Sequence, residues 1–91
     1  MELKKVEKIS KALADPHRLR ILKSIHKNQS CMYCSDINDM IDLAQPSVSH
    51  HLKQLTDAEL IIAEKEGRNM KYTLNHKMID QYMHFLAALK A

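Results

Sequence analysis

The sequence predicts a mainly α-helical domain with its elements in the order ααααββα, and three observations lead there. Apolar residues recur at helical spacing along most of the chain. A single glycine, Gly67, serves all 91 residues, and such glycine poverty suits helices. That glycine stands between two short β-type runs, where a tight turn needs a positive φ.

Residues 2–14 carry Leu3, Val6, Ile9 and Leu13 on one helical stripe with lysines opposite. Asp15-Pro16 reads as an N-cap followed by proline at the first helical position. The second helix runs from there to about Lys27, with Leu19, Ile21, Leu22 and Ile25 inward. Asn28-Gln29-Ser30 is a polar break, and Ser35 or a neighbour caps a short third helix through Ile41. Asp42-Leu43-Ala44 is a tight link, and Pro46 lies in the first turn of a fourth helix that lasts to about Asp57. Leu60-Ile61-Ile62-Ala63 and Lys71-Tyr72-Thr73-Leu74 then form a hairpin around Glu66-Gly67-Arg68-Asn69. Met78, Ile79, Tyr82, Met83, Leu86 and Leu89 stripe a last helix from about His76 to Leu89.

Residues 1–91 make one domain, and a chain this short builds a thin core that pairing with a second copy would supplement. Hydrophobic residues at 45% exclude wholesale disorder, while a net charge of +3 is compatible with nucleic acid without establishing it. No apolar run is long enough to span a membrane, and MELKKVEKIS lacks the apolar region of a signal peptide. A cytoplasmic location follows as an expectation, and with it reduced thiols at Cys31 and Cys34. An enzyme is not expected. One glycine cannot build a phosphate loop, and Ser47, Ser49 and His50 are helix neighbours that point different ways.

Two short helices across a three-residue link, followed by a hairpin, are the plan of a winged helix-turn-helix. On the fourth helix Val48, Leu52 and Leu55 share one face, opposite Ser47, His50, Lys53 and Gln54. The N-terminal positions of such a helix reach deepest into a major groove, so Gln45, Ser47, Ser49 and His50 are the candidates for base contact. Lys53 is the only full positive charge on that helix. Lys65, Arg68, Asn69 and Lys71 cluster at the hairpin tip, placed to follow phosphates. Each part alone also fits an ordinary amphipathic helix or a solvated turn, and it is the combination that points to double-stranded DNA. A winged helix serving protein interaction or RNA binding is the alternative.

Three segments carry a family resemblance. Ala12-Leu13-Ala14-Asp15-Pro16-His17-Arg18-Leu19-Arg20-Ile21-Leu22 resembles the opening motif of the ArsR/SmtB repressors. Gln45-Pro46-Ser47-Val48-Ser49-His50-His51-Leu52-Lys53-Gln54-Leu55 is similar to their recognition helix, and Glu66-Gly67-Arg68 followed by Tyr72-Thr73-Leu74 to their wing. The resemblance implies a homodimer packed through its first and last helices, with part of each apolar stripe claimed by the protomer itself. It also implies two recognition helices about 34 Å apart on a near-palindromic operator, and repression by occupying a promoter. Asp42 and Glu59 stand where the family often has glycine. Glu59 adds negative charge near the DNA side.

Many members of that family release DNA when a metal or metalloid binds, and one such site uses a Cys-x-Cys pair at the start of the third helix. Here Cys31-Met32-Tyr33-Cys34 has one extra residue between the thiols. The spacing suits a soft ion such as As(III), Cd or Zn, yet two thiolates are half of a tetrahedral set. The same pair suits a reversible disulfide or persulfide switch, with Cys34 beside a helix N-terminus. Packing as two small apolar residues is the third reading, and the three stay open. The family's other metal site, on the last helix, lacks its ligands here, since His76-Lys77-Met78 and Leu89 occupy the matching positions. His76 and His84 are about 12 Å apart along a helix, too far to share one ion.

Overall fold

A computed structural model describes residues 1–91 as five helices and three strands. In chain order these are α1 (Leu3–Leu13), α2 (Pro16–Lys27), β1 (Cys31–Tyr33), α3 (Cys34–Met40), α4 (Gln45–Asp57), β2 (Ile61–Glu66), β3 (Asn69–Leu74) and α5 (His76–Ala88). No helix is long and apolar enough to cross a membrane.

The start of α2 follows the expected capping chemistry. Asp15 has extended backbone, its Oδ1 accepts from the backbone N–H of His17 at 2.8 Å and of Arg18 at 3.2 Å, and Pro16 opens the helix. Ile21 and Ile25 are the fully buried residues of α2. Leu19, expected inward, is instead 49% exposed. Two residues before Ile21 is about 200° around the helix, nearly the opposite side.

The structure adds one element to the expected order, which becomes ααβααββα. After α2, Gln29 and Ser30 both take positive φ, at 61° and 66°. They turn the chain into β1, which pairs antiparallel with β3 so that Met32 faces Tyr72. Three residues are too few to display a strand's alternation, and the wing is therefore a three-stranded sheet in the order β1-β3-β2. The hairpin itself is longer than expected. It pairs Ile61 with Leu74 through to Glu66 with Asn69, around a two-residue turn in which Gly67 has φ 64°. Helix α3 begins at Cys34, one residue ahead of Ser35, and has no side-chain cap.

One apolar cluster of 14 buried residues holds these elements together, including Ile9, Ile21, Ile25, Ile37, Val48, Leu52, Leu55 and Ile61. Ile9, part of the stripe expected at a dimer contact, is fully buried within the protomer. Helix α5 contributes no buried residue. Its Met83 is 60% exposed, Leu89 just past its end 70%, and Leu3 of α1 74%. Ser10 Oγ and Tyr82 Oη, 2.8 Å apart, tie α5 to α1.

Leu55 is fully buried where α4 meets this core. Leu55→Ala is expected to cost about 2–5 kcal/mol of unfolding free energy, read as a lowered urea midpoint. A loss below about 1 kcal/mol would contradict this packing.

Candidate nucleic-acid interface

Helix α4 is rotated by its apolar seam. Val48, Leu52 and Leu55 are at most 2% exposed, which turns Gln45, Ser47, Ser49, His50, Lys53 and Gln54 outward, and all six are exposed. The helix starts without a side-chain cap, on extended Ala44 with Pro46 in its first turn. The N–H groups of its opening turn are therefore not taken by a capping side chain.

The positive charges near this face are not equally available. Lys53 Nζ lies 3.1 Å from Asp57 Oδ2, one helical turn on. Lys71, expected to follow phosphates, lies on β3 with Nζ 3.4 Å from Glu66 Oε2. That contact and the charges of Glu66 and Glu64 hold its ammonium pKa above the usual value. Tyr33 Oη donates to Glu66 Oε1 at 3.2 Å, which raises the phenol pKa in turn. Lys65 and Arg68 are exposed and carry no ion pair, and Asn69 is exposed beside the turn. Glu59 holds φ 60° in the left-handed region where a glycine is easier. Its carboxylate pairs with Lys5 of α1, which offsets the negative charge.

Behind the outer face lies a group that sequence reasoning did not single out. Arg18, His51 and Asp15 come together from the α1–α2 junction and α4, with side chains 14%, 12% and 26% exposed. Burial lowers the His51 pKa, helped by the charges of Arg18, His17 and His50 and opposed by Asp15. For Asp15, burial pushes the carboxyl up. The backbone bonds from Arg18 and His17 and the Arg18 charge outweigh it and leave the pKa below the usual value. The signal available in the sequence was a histidine on the inner edge of α4, next to Leu52.

Cys31 and Cys34 are free and half-buried. Cys31 is on β1 opposite Thr73, and Cys34 is the first residue of α3. Asn38 Nδ2 reaches Cys34 Sγ at 3.6 Å across one turn of α3, while Asn38 Oδ1 is buried without a partner. No three His, Cys, Asp or Glu side chains gather anywhere in the chain as a metal-holding group. His76 and His84 are exposed on α5.

Comparison with known proteins places this architecture. Residues 15–63 match the model of the family described as bacterial regulatory protein, arsR family. An arsenical resistance operon repressor of Staphylococcus xylosus is 38% identical over 80 residues, covering 88% of this chain and 75% of the relative. The crystal structure of an ArsR family transcriptional regulator superposes with a TM-score of 0.88 at 24% identity, over 99% of this chain and 91% of that one. A homodimeric winged helix-turn-helix DNA-binding domain of Mycobacterium bovis gives 0.76 at 22% identity, over 97% and 81%. These likenesses fix the fold as a winged helix-turn-helix. The chain belongs to the ArsR family of bacterial regulatory proteins.

Proposed function

We propose that this protein is a cytoplasmic, homodimeric repressor of transcription that binds a near-palindromic DNA operator through α4 and the wing. The observation that carries the proposal is the exposure of Gln45, Ser47, Ser49 and His50 on the face opposite the buried seam. These short polar side chains have the reach and the donors and acceptors for base edges. Arg68, with Asn69 beside it, supplies the charge for phosphate at the turn. Lys53 and Lys71 contribute less than their charge suggests, because Asp57 and Glu66 already hold them. Dimerisation is supported by α5, a helix with an apolar stripe and no buried residue. A second copy packed on Met83, Leu86, Leu89 and Leu3 would remove that surface from water. Twofold symmetry would then set two copies of α4 about one DNA turn apart, and occupancy of a promoter is enough to block transcription.

Cys31 and Cys34 support a second reading, a response to trivalent arsenic. Two free, half-buried thiols flank the β1–α3 junction. With no third ligand beside them they do not fit a tetrahedral zinc or cadmium site within one protomer. Two thiols three residues apart supply the donors of a two-sulfur clamp, in which soft thiolates would bind the arsenic directly. Helix α3 and the short link to Gln45 separate this pair from the proposed reading face. The arsenical resistance repressor of Staphylococcus xylosus is the relative that favours this ligand.

Fluorescence anisotropy on the protein's own promoter tests both parts. His50→Ala is expected to cost about 1–3 kcal/mol on the operator and little on scrambled duplex, and Arg68→Ala to weaken both and lower the salt slope by about one. Equal losses for the two variants on every DNA would remove the division of roles. Asp57→Asn frees Lys53 and should tighten binding to all sequences with a steeper salt dependence; unchanged binding would show that Lys53 lies off the DNA. Arsenite should release the wild type and spare the Cys31→Ser/Cys34→Ser protein. Release by a mild oxidant alone would assign the pair to redox chemistry, and release by nothing would leave it a packing element.

A further inference from the structure

Three elements meet at one arginine behind the outer face of α4. Arg18 Nε donates to Ala12 O at 2.6 Å and Nη2 to Lys11 O at 3.1 Å, both carbonyls at the end of α1. Lys11 O also accepts from the backbone N–H of Ala14 at 3.2 Å, so the guanidinium adds a second donor there. The remaining nitrogen, Nη1, is 3.2 Å from His51 Nδ1 on α4. Arginine can only donate, so His51 accepts at Nδ1 and is neutral, its proton on Nε2. Asp15 completes the group, with Oδ2 3.9 Å from Arg18 Nη1 and Oδ1 4.0 Å from His51 Nδ1.

We propose that Arg18 and neutral His51 form a positioning clamp that fixes α4 for base reading, and that a proton on His51 opens it. The inference rests on α4 being the DNA-reading helix. The buried seam of Val48, Leu52 and Leu55 selects which face of α4 points outward, but its contacts are apolar and non-directional and leave the last few degrees of roll loose. A planar guanidinium anchored at two carbonyls is directional, and its third bond sets the roll at the residue next to His50. Because the same arginine grips the end of α1, the reading helix is also tied to the helix that carries exposed Leu3.

Protonation at Nδ1 turns the acceptor into a donor and leaves Arg18 facing a second cation. The groups that face His51 are Asp15, Arg18 and His17 from the α2 side and His50 on its own helix. The His17 and His50 rings have centroids 5.5 and 5.9 Å from that of His51. Only Asp15 would welcome the new proton, and its Oδ1 is already bonded to two backbone N–H groups. The His51 pKa is lowered in the folded protein, and the sign follows from that. The clamp is fully present above the ordinary imidazole value of about 6.5 and is lost as pH falls through the lower folded value.

The experiment measures affinity for the promoter and for scrambled duplex between pH 7.5 and 5.5, for the intact chain and for His51→Asn and Arg18→Lys, each confirmed folded by circular dichroism. The ratio of the two affinities is the readout, because a general gain of positive charge at low pH tightens binding to any DNA. The Asn amide oxygen lies near the position of Nδ1 and accepts from Arg18 without titrating. A lysine cannot serve three acceptors in the arginine's fixed geometry. The wild-type ratio should fall toward the acid end of this range, by up to about tenfold, the size of one hydrogen bond to a charged group. The His51→Asn ratio should fall clearly less with pH than that of the wild type, and Arg18→Lys should have a reduced ratio already at pH 7.5. A fall in His51→Asn equal to that of the wild type, or a wild-type ratio in Arg18→Lys, overturns the clamp alone. A wild type with no preference at pH 7.5 overturns the reading of α4 and the clamp with it.

Discussion

Val48, Leu52 and Leu55 lie in the same buried cluster as Ile21, Ile37 and Ile61, and this seam decides which side of α4 meets solvent. Burying each such side chain is worth about 1.5–3 kcal/mol. An exposed ion pair such as Lys53–Asp57 is worth at most about 1 kcal/mol, so the seam and not the surface charge sets how α4 sits. The outer face then consists of Gln45, Ser47, Ser49 and His50, whose hydrogen-bonding groups are left to solvent or a ligand. Apolar burial selects the outward face, and in the proposed clamp the Arg18–His51 bond refines the roll, two interactions of different kind acting on one helix.

Charge is used sparingly in this chain. A net +3 is spread over 14 basic and 11 acidic residues, and several of the basic ones are neutralised in place. Glu59 offsets Lys5, Asp57 offsets Lys53 and Glu66 offsets Lys71. Lys65 and Arg68 are left to act at long range from the wing. In the proposed function such a surface would favour discrimination by base contacts over strong attraction to any duplex, because few phosphate contacts mean weak non-specific binding.

Local signals made most of the architecture legible. Asp15-Pro16, the 3.6-residue apolar periods and Gly67 each act within a few residues, and each located an element that the structure contains. The exceptions have physical reasons. Strand β1 is too short to alternate, and its pairing with Lys71, Tyr72 and Thr73 is about forty residues away in sequence. Gln29, Ser30 and Glu59 hold positive φ without being glycine, so composition gave no warning of those turns. The outward residues of the site were legible because a helix with a buried face must expose the other. The Arg18–His51 bond was not, since it joins residues 33 apart and depends on how α2 crosses α4. Nor could charge alone reveal that Lys53 and Lys71 are tied to carboxylates.

Met78, Ile79 and Tyr82 pack against the core while Met83 and Leu86 stay exposed, leaving apolar surface that a second copy would cover; in the proposed dimer, twofold symmetry would set two copies of α4 on one operator. Methylation interference at guanine N7 on the protein's own promoter tests this most directly, because N7 lies in the major groove, where the proposal puts α4. Two clusters of interference on a near-palindrome, centred about 10 base pairs apart, are the expected result. A single cluster, or binding that no major-groove methyl group disturbs, would contradict a dimer that reads DNA through α4.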